Sequence, residues 1–600
     1  MTATSPFVLL DNNLDDETPS YLFEKPSRIL QAERVEDVDS VLADLDVALA
    51  DGYCAAGFLS YEAGYALEPR LKPLLPERRK VPLIWFGLFS SYRQMARAEA
   101  AAWLKARTHG DYALTASRYT WDKETYAKAF RRLKEYIAAG DIYQLNLTFG
   151  RESDLLGDPF AFYRDLRRRQ PVAHGAFIET EDFKIFSLSP ELFFRCDGED
   201  IETRPMKGTA SREASPEADQ FAAQSLARDE KSQAENLMIV DLMRNDLGRI
   251  AKPGSVSVPT LFHVESYPTL HQMVSVVKAK RAGDATPAVL LRALFPPGSI
   301  TGAPKIRAVE IGRELERGPR GVYTGVIGAF FPHDKALFNV AIRTLFARPS
   351  GNAVHCSMGI GGGIVQDSAL DTEYEECLLK SAFLNDDERD FRLFETLRYA
   401  SDNGFYLLKQ HLGRMRVSAH ALGFLFDESA ASNALNNAVA GTKTDYLRVK
   451  LLLSKTGEWE TIQSAFPSEL IGKPLSFVLA DQSVDSRNPL LLHKTTRRAL
   501  FDEAFADMQR KTACDEILFL NERGELTQGS YTNLFIRLRK GEPWLTPPLS
   551  SGLLPGTLRS FLLESGEAEE RTLHPPDLEN AEVVCLGNAL RGLVKGIIPK

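Results

Sequence analysis

The sequence predicts an α+β protein of two successive domains, and three observations carry that expectation. At 600 residues the chain is longer than one hydrophobic core supports, because single cores stop growing near roughly 250–300 residues. Apolar runs at 322–331 and 516–520 have the length and period of strands, whereas 123–139 repeats its apolar residues at helical spacing. The third observation is a polar run at 385–390, which separates a helical pattern ending near Leu379 from a fresh strand pattern starting at Phe391. Domains of 1–384 and 385–600 follow. So short a run predicts close coupling rather than a flexible tether. A weaker boundary is expected at 106–117, ahead of the first block with catalytic character.

Composition narrows the function. A net charge of −9 disfavours nucleic acid or anionic membrane as partners, since both are bound through surplus Lys and Arg. An anionic small molecule would need a local basic pocket. The first 16 residues are acidic, with no basic stretch leading into an apolar one, and no apolar run approaches 18 residues. No export signal or membrane anchor is therefore expected. Cys54, Cys196, Cys356, Cys377, Cys514 and Cys585 lie far apart without metal-like spacing, so reduced thiols in the cytoplasm are expected.

In the first half, charged residues stand in apolar surroundings. Glu191 lies between Pro190 and Leu192-Phe193-Phe194, where it could cap a helix or serve as a buried acid. Lys207 precedes Gly208 in a turn-like stretch whose glycine permits close approach of a ligand. The segment 230–250 reads as a helix with Glu235 and Asp241 interrupting apolar residues. Ser368 and Asp371 have capping-box spacing, and the helix they open sets Glu373, Glu376 and Lys380 on one face. Those acids are either a solvated ladder or hard oxygen ligands for Mg²⁺, and spacing leaves both open. Glycines at 359–363 and 298–302 offer backbone N–H groups to an anion, but match no nucleotide fingerprint.

Ser189-Pro190-Glu191, Pro205-Met206-Lys207-Gly208-Thr209, Ala234-Glu235-Asn236, the 241–246 block, Gly302-Ala303-Pro304-Lys305, Ala341-Ile342-Arg343 and the 361–376 block occur in an order that resembles the chorismate-utilising enzymes. The resemblance runs over 53–383. It implies Mg²⁺ held by Glu235 and Glu376, with Glu373 near the metal or its waters. Arg343 and the backbone of Gly361 and Gly362 would hold a substrate carboxylate, with Thr209, His271, Tyr323 and Lys380 completing the substrate site. Lys207 resembles the nucleophilic lysine of members that aminate chorismate at C4, where anthranilate and isochorismate synthases usually carry a small residue. Glu191 would be the general acid for the departing hydroxyl. Without a Gly-x-Cys-x-Gly turn, no glutaminase is expected in the chain, so ammonia would come from a separate glutamine amidotransferase subunit.

In the second half, Phe394-Glu395-Thr396-Leu397-Arg398 reads as a strand and 411–415 as part of a helix carrying Arg414, while Lys494 precedes another helical pattern. With Leu526-Thr527-Gln528-Gly529, Leu554-Pro555-Gly556-Thr557 and Gly587-Asn588-Ala589-Leu590, these motifs are similar to the fold-type IV pyridoxal-phosphate enzymes, over 391–600. The resemblance implies Lys494 bonded to the cofactor aldehyde and Arg414 on its phosphate, with Thr557 and Asn588 as further phosphate candidates. Gln528 stands where the family places a glutamate against the pyridine nitrogen, which implies a weaker electron sink. The leading strands of stand-alone members also look absent, leaving contacts there missing or supplied by the other half.

The two resemblances together imply amination of chorismate to 4-amino-4-deoxychorismate, then elimination of pyruvate to give 4-aminobenzoate. An anthranilate-type synthase joined to an amino-acid aminotransferase is the alternative that Lys207 opposes. An inactive scaffold that recruits an amidotransferase is a second. Dimerisation through the second half is expected from the family alone.

Overall fold

The computed structural model describes residues 5–115, 117–211, 216–266, 270–351, 353–384, 391–442 and 444–599. The expected boundary run at 385–390 lies outside the described residues. Two large sheets stack face to face in the first half. One includes Phe7–Asp11, Gln144–Gly157, His174–Glu179, Lys184–Ser189 and Ala353–Ile364. The other includes Cys54–Leu59, Ile84–Phe89, Leu192–Asp197, Met206–Ser211, Leu270–Lys280 and Val326–Phe331.

Continuous apolar strands are explained by this stacking, because each strand is covered on both faces. In Phe7–Asp11, Val8 and Leu10 face the inter-sheet layer with Phe58, Trp85 and Ile327, while Phe7 and Leu9 face an outer layer. That outer layer is closed by helices Lys123–Ala138 and Pro159–Arg169. On the opposite side, helices Val35–Ala50, Glu230–Gly248 and Pro287–Leu294 cover the second sheet.

The second half holds a four-stranded sheet around Leu393–Ala400 and Tyr446–Leu453, covered by helices Leu408–Leu422 and Glu428–Val439. An eight-stranded sheet follows, with Glu516–Asn521, Leu526–Gly529, Asn533–Arg537 and Val583–Asn588 among its strands. Lys494 lies between the two sheets, where its carbonyl accepts from the Phe394 N–H at 3.0 Å. The halves touch: Ala113 is buried in the core of the four-stranded sheet, and Lys455 Nζ donates to the Leu114 carbonyl at 2.7 Å.

Four local expectations are corrected. The stretch 106–117 is no boundary, since Tyr112–Leu114 pairs with Gln144–Gly157 inside the first sheet. No helix follows Pro190; Glu191 occupies the corner where the chain passes from one sheet to the other. Lys207 lies on the strand Met206–Ser211, which is irregular because Gly208 has φ +83°. The Ser368–Asp371 box is not formed, because Ser368 Oγ accepts from the Val365 N–H at 3.1 Å and Ala369 is the N-cap residue.

Phe58 is fully buried where the two sheets meet. Phe58→Ala is expected to cost about 3–5 kcal/mol, read as a lower urea midpoint for unfolding of the first half.

Candidate active sites

In the first half, charged residues from four elements converge at the end of the two sheets. Lys207 comes from the strand Met206–Ser211, Glu235 from the helix Glu230–Gly248, Glu376 and Lys380 from the helix Leu370–Leu379 and its end, and Glu191 from the corner between the strands Lys184–Ser189 and Leu192–Asp197. Lys207 is half-buried, and desolvation lowers its pKa, against the opposing pull of Glu235, Glu191 and Glu376; Lys380 pushes the same way as desolvation. Glu191 is 4% exposed, accepts from Ser299 Oγ at 2.6 Å, and is pushed by burial up to about 7. Lysine and acid therefore both lean toward their neutral forms.

The glycines at 361–363 are a steric requirement of this site. A Cβ on Gly363 would lie 3.1 Å from Lys207 Nζ and 2.8 Å from Gln144 Nε2, and one on Gly362 would lie 3.1 Å from Glu373 Oε2. Gly361 accepts from Lys380 Nζ at 2.9 Å, and Lys380 also pairs with Glu376 at 2.8 Å. Tyr323 lies against Gly359, where a Cβ would meet its ring at 2.1 Å. Arg343 has φ +50°, and among the described residues its guanidinium has no ion-pair partner. Thr324 nearby has φ +62°, unusual for a β-branched residue. Such strain clusters where a ligand must be met.

Not every expected residue reaches this place. Thr209 is exposed and its Oγ1 donates to Gln272 Oε1 at 3.2 Å. His271 is 1% exposed with both ring nitrogens engaged, by Ser266 Oγ at 2.8 Å and Asp219 at 2.9 Å. The His271 ring thus has no nitrogen left to offer, whereas the Thr209 hydroxyl keeps its acceptor lone pairs. Glu235, Glu373 and Glu376 do not form a three-carboxylate set: among the described residues, no three His, Cys, Asp or Glu side chains converge on one point. Glu376 turns to Lys380, and Glu235 leans to Lys231 at 3.9 Å. The donor chemistry that remains fits Mg²⁺, which takes one or two protein carboxylates with water and an anionic ligand.

Sequence reasoning missed Gln144 and Ser299. Gln144 is fully buried beside Lys207, and among the described residues neither polar atom of its side-chain amide has a hydrogen-bond partner. A buried, unsatisfied amide is costly unless a ligand satisfies it. Its place in the apolar strand pattern was the available signal.

The second site is a cavity of about 730 Å³ lined by Lys494, Arg414, Gln528, Thr557 and Asn588, within the usual range for cofactor pockets. Burial and the nearby Arg414 and Arg498 lower the Lys494 pKa to about 7. Its ammonium stands 4.8 Å from the Phe394 ring, and Lys450 lies 4.5 Å from the same ring. Arg414 is held by Glu395 through Nε at 2.8 Å and Nη2 at 2.5 Å, and by the Pro555 carbonyl at 3.0 Å. Two guanidinium N–H donors are left over. Glu395 also bonds His411 Nδ1 at 2.6 Å; burial opposes its charge, but Arg414 and His411 together hold it down at about 2.

The helix Thr557–Glu564 starts at the pocket with no side-chain cap, so its first N–H groups are free for an anion. Lys494, Arg414 and this helix end fit pyridoxal phosphate. Asn588 lines the same cavity and its Oδ1 accepts from the Leu590 and Arg591 N–H groups at 3.0 and 2.9 Å, shaping its own turn. Gln528 Oε1 accepts from the Leu554 N–H at 2.8 Å, which turns its NH₂ group away from that bond. The support role of Glu395 was missed, although a charge within an apolar strand pattern was visible.

Two family models match: chorismate binding enzyme over residues 10–386, and amino-transferase class IV over residues 392–596. The first spans more than half of the chain, which therefore belongs to the chorismate-binding enzymes and carries a class IV aminotransferase domain behind that unit. It is 43% identical over 304 residues to aminodeoxychorismate synthase component 1 of Klebsiella aerogenes, covering 50% of this chain and 65% of that one. The same-named protein of Bacillus subtilis is 35% identical over 357 residues, covering 54% and 75%. Among solved structures, anthranilate synthase component I of Streptococcus pneumoniae TIGR4 is 25% identical with TM-score 0.51, over 64% of this chain and 91% of that chain. The chain spans 54–65% of the length of the first three curated relatives it matches.

Glu395→Gln leaves Arg414 without a counter-charge and is expected to cost about 3–5 kcal/mol. The native carboxylate is held below its ordinary value, so its stabilisation is present above pH 4.5 and fades as pH falls toward 2. Acid unfolding followed over that window should be flatter in the variant.

Proposed function

We propose that the chain aminates chorismate to 4-amino-4-deoxychorismate in its first half and removes pyruvate from that product in its second, giving 4-aminobenzoate. The observation that carries the first step is the pairing of a half-buried Lys207, biased toward the free amine, with a buried Glu191 that keeps its proton to about pH 7. A free amine is a nucleophile, and a carboxyl with that pKa is an acid suited to neutral pH. Lys207 Nζ bonds to ring carbon C2, the double bond shifts, and the C4 hydroxyl leaves as water with the proton of Glu191. Ammonia then bonds to C4 and Lys207 leaves C2. The sum is chorismate plus ammonia giving 4-amino-4-deoxychorismate plus water.

Glu235 and Glu376 would hold Mg²⁺, which would supply positive charge to one substrate carboxylate. Arg343 would take the other. The names of the relatives support this reading, as does a lysine at 207. Component 1 in those names implies a second component, read here as a glutamine amidotransferase that supplies ammonia; the division of the chain at 384/385 belongs to the same proposal.

In the second half, pyridoxal phosphate would supply an electron sink for the carbon that bears the amine. Arg414 and the N–H groups at Thr557 would hold its phosphate. Lys494, with a pKa near 7, would take the proton from that carbon, and the enolpyruvyl group would leave from its neighbour as pyruvate. Gln528 would offer the pyridine nitrogen a donor rather than a charge, which suits an elimination drawn forward by aromaticity. Lyase is favoured over aminotransferase by a cation-rich wall: Lys450 is lowered by burial and by Arg448 and Arg498, against Asp502 and Glu460, and all three cations line the cavity, with Arg498 paired to Asp502 at 3.3 Å. A dicarboxylate meets that cluster better than a simple amino acid does.

The full chain given chorismate, Mg²⁺, ammonium and pyridoxal phosphate should release 4-aminobenzoate and pyruvate in equal amounts. Release of anthranilate would contradict the proposal. Lys494→Ala should accumulate 4-amino-4-deoxychorismate, and Lys207→Ala should abolish turnover. Amination per free ammonia should fall as pH rises through about 7, because Glu191 then loses its proton; Glu191→Gln should be slower by about 10²–10⁴-fold and lack that limb. Gln528→Glu should bring no large gain in pyruvate release.

A further inference from the structure

The cavity around Lys494 is not built by the second half alone. His109, Gly110 and Asp111 of the first half are part of its wall. This loop is fixed to its own half, since the N–H groups of His109 and Gly110 both donate to Asp158 and the Asp111 carbonyl accepts from the Asp158 N–H at 3.0 Å. It is fixed equally to the other. The helix Ala499–Thr512 has no side-chain cap of its own, its N-cap residue being Arg498. The Asp111 carboxylate lies at that helix start, close enough for the backbone N–H groups of Ala499 and Leu500 to lower its pKa, beside Arg497.

The surroundings leave no slack. Asn488 Nδ2 donates to the Asp111 carbonyl at 3.4 Å while its Oδ1 accepts from the Leu490 N–H at 3.0 Å. A Cβ on Gly110 would lie 2.7 Å from Asn488 Nδ2, and one on Gly157 would lie 2.2 Å from the Asp111 carbonyl oxygen. Arg497 lies 5.2 Å from the Tyr112 ring and 3.6 Å from Asp165. Lys494 and the helix that Asp111 caps are separated by only the residues 495–498.

We infer that the loop 109–111 of the first half is a working wall of the pocket in the second, with Asp111 a positioning residue that sets the Lys494–Arg498 segment by capping the helix behind it. The second site is then complete only while both halves are docked. Burial raises the Asp111 carboxyl to about 6, against Arg497 and the two N–H groups. Plain packing between domains would not need to bury a carboxylate at that cost. The inference rests on the reading of Lys494 as the cofactor lysine.

The test uses the full chain carrying Asp111→Ala, Asp111→Asn or Gly110→Val, with amination of chorismate by the first half as the check on folding. Affinity for pyridoxal phosphate and the position of its visible absorbance band are measured. Loss of a cap is worth up to about tenfold in an equilibrium constant. Asp111→Ala and Gly110→Val should therefore bind the cofactor about five- to tenfold more weakly, with a shifted band. Asp111→Asn, which keeps a capping oxygen, should restore most of both. Unchanged affinity and band in Asp111→Ala and Gly110→Val would overturn the inference. Lys494→Ala separates the two readings: a band that survives in it overturns the assignment of the lysine, whereas a band lost there but unmoved by the 110 and 111 variants overturns the shared wall alone.

Discussion

Taking an amine out of water raises the cost of its charge, and this desolvation acts at two places in the chain. Lys207 and Lys494 are both half-buried among other cations, Lys380 in one case and Arg414 and Arg498 in the other. Each needs a fold that surrounds it on all sides. For Lys207 that is the meeting of two sheets and two helices. For Lys494 it is a segment held between two sheets, one of them anchored to the first half.

The surroundings differ in how they meet that cost. At the first site the acids near Lys207 pull its pKa back up, so their own occupation matters: Glu376 is engaged by Lys380, and burial lifts the Glu191 carboxyl to about 7. A metal drawing on Glu235 and Glu376 would withdraw that negative field and favour the free amine further. At the second site the counter-charge of Arg414 is Glu395, itself stabilised by His411, so most of the negative charge is spent on the arginine.

Much of this was legible in the sequence. Apolar strand runs announced buried sheets, because a strand covered on both faces has no polar side to show. The structure brings Lys207, Glu191 and Glu376 together and sets Lys494 in a cavity with Arg414. Other expected residues are engaged locally. Thr209 and His271 share a strand pair with the site, but their polar atoms are engaged by Gln272, Ser266 and Asp219. Asn588 spends its side chain on its own turn. The loop at 106–117 looked like a division and is in fact the seam between the halves, since a short polar stretch reads alike in either role. Neighbours far apart in sequence, such as Asp111 and Ala499, leave no periodic trace.

The central claim is that Lys207 acts as a nucleophile rather than as a fixed charge. Mass spectrometry of the full chain, incubated with chorismate and Mg²⁺ without ammonia, measures it directly. The account predicts a peptide in which Lys207 carries chorismate less one water, and which loses that mass when ammonium is added. A chain that aminates chorismate with ammonium yet shows no such mass on residue 207 in its absence would contradict it.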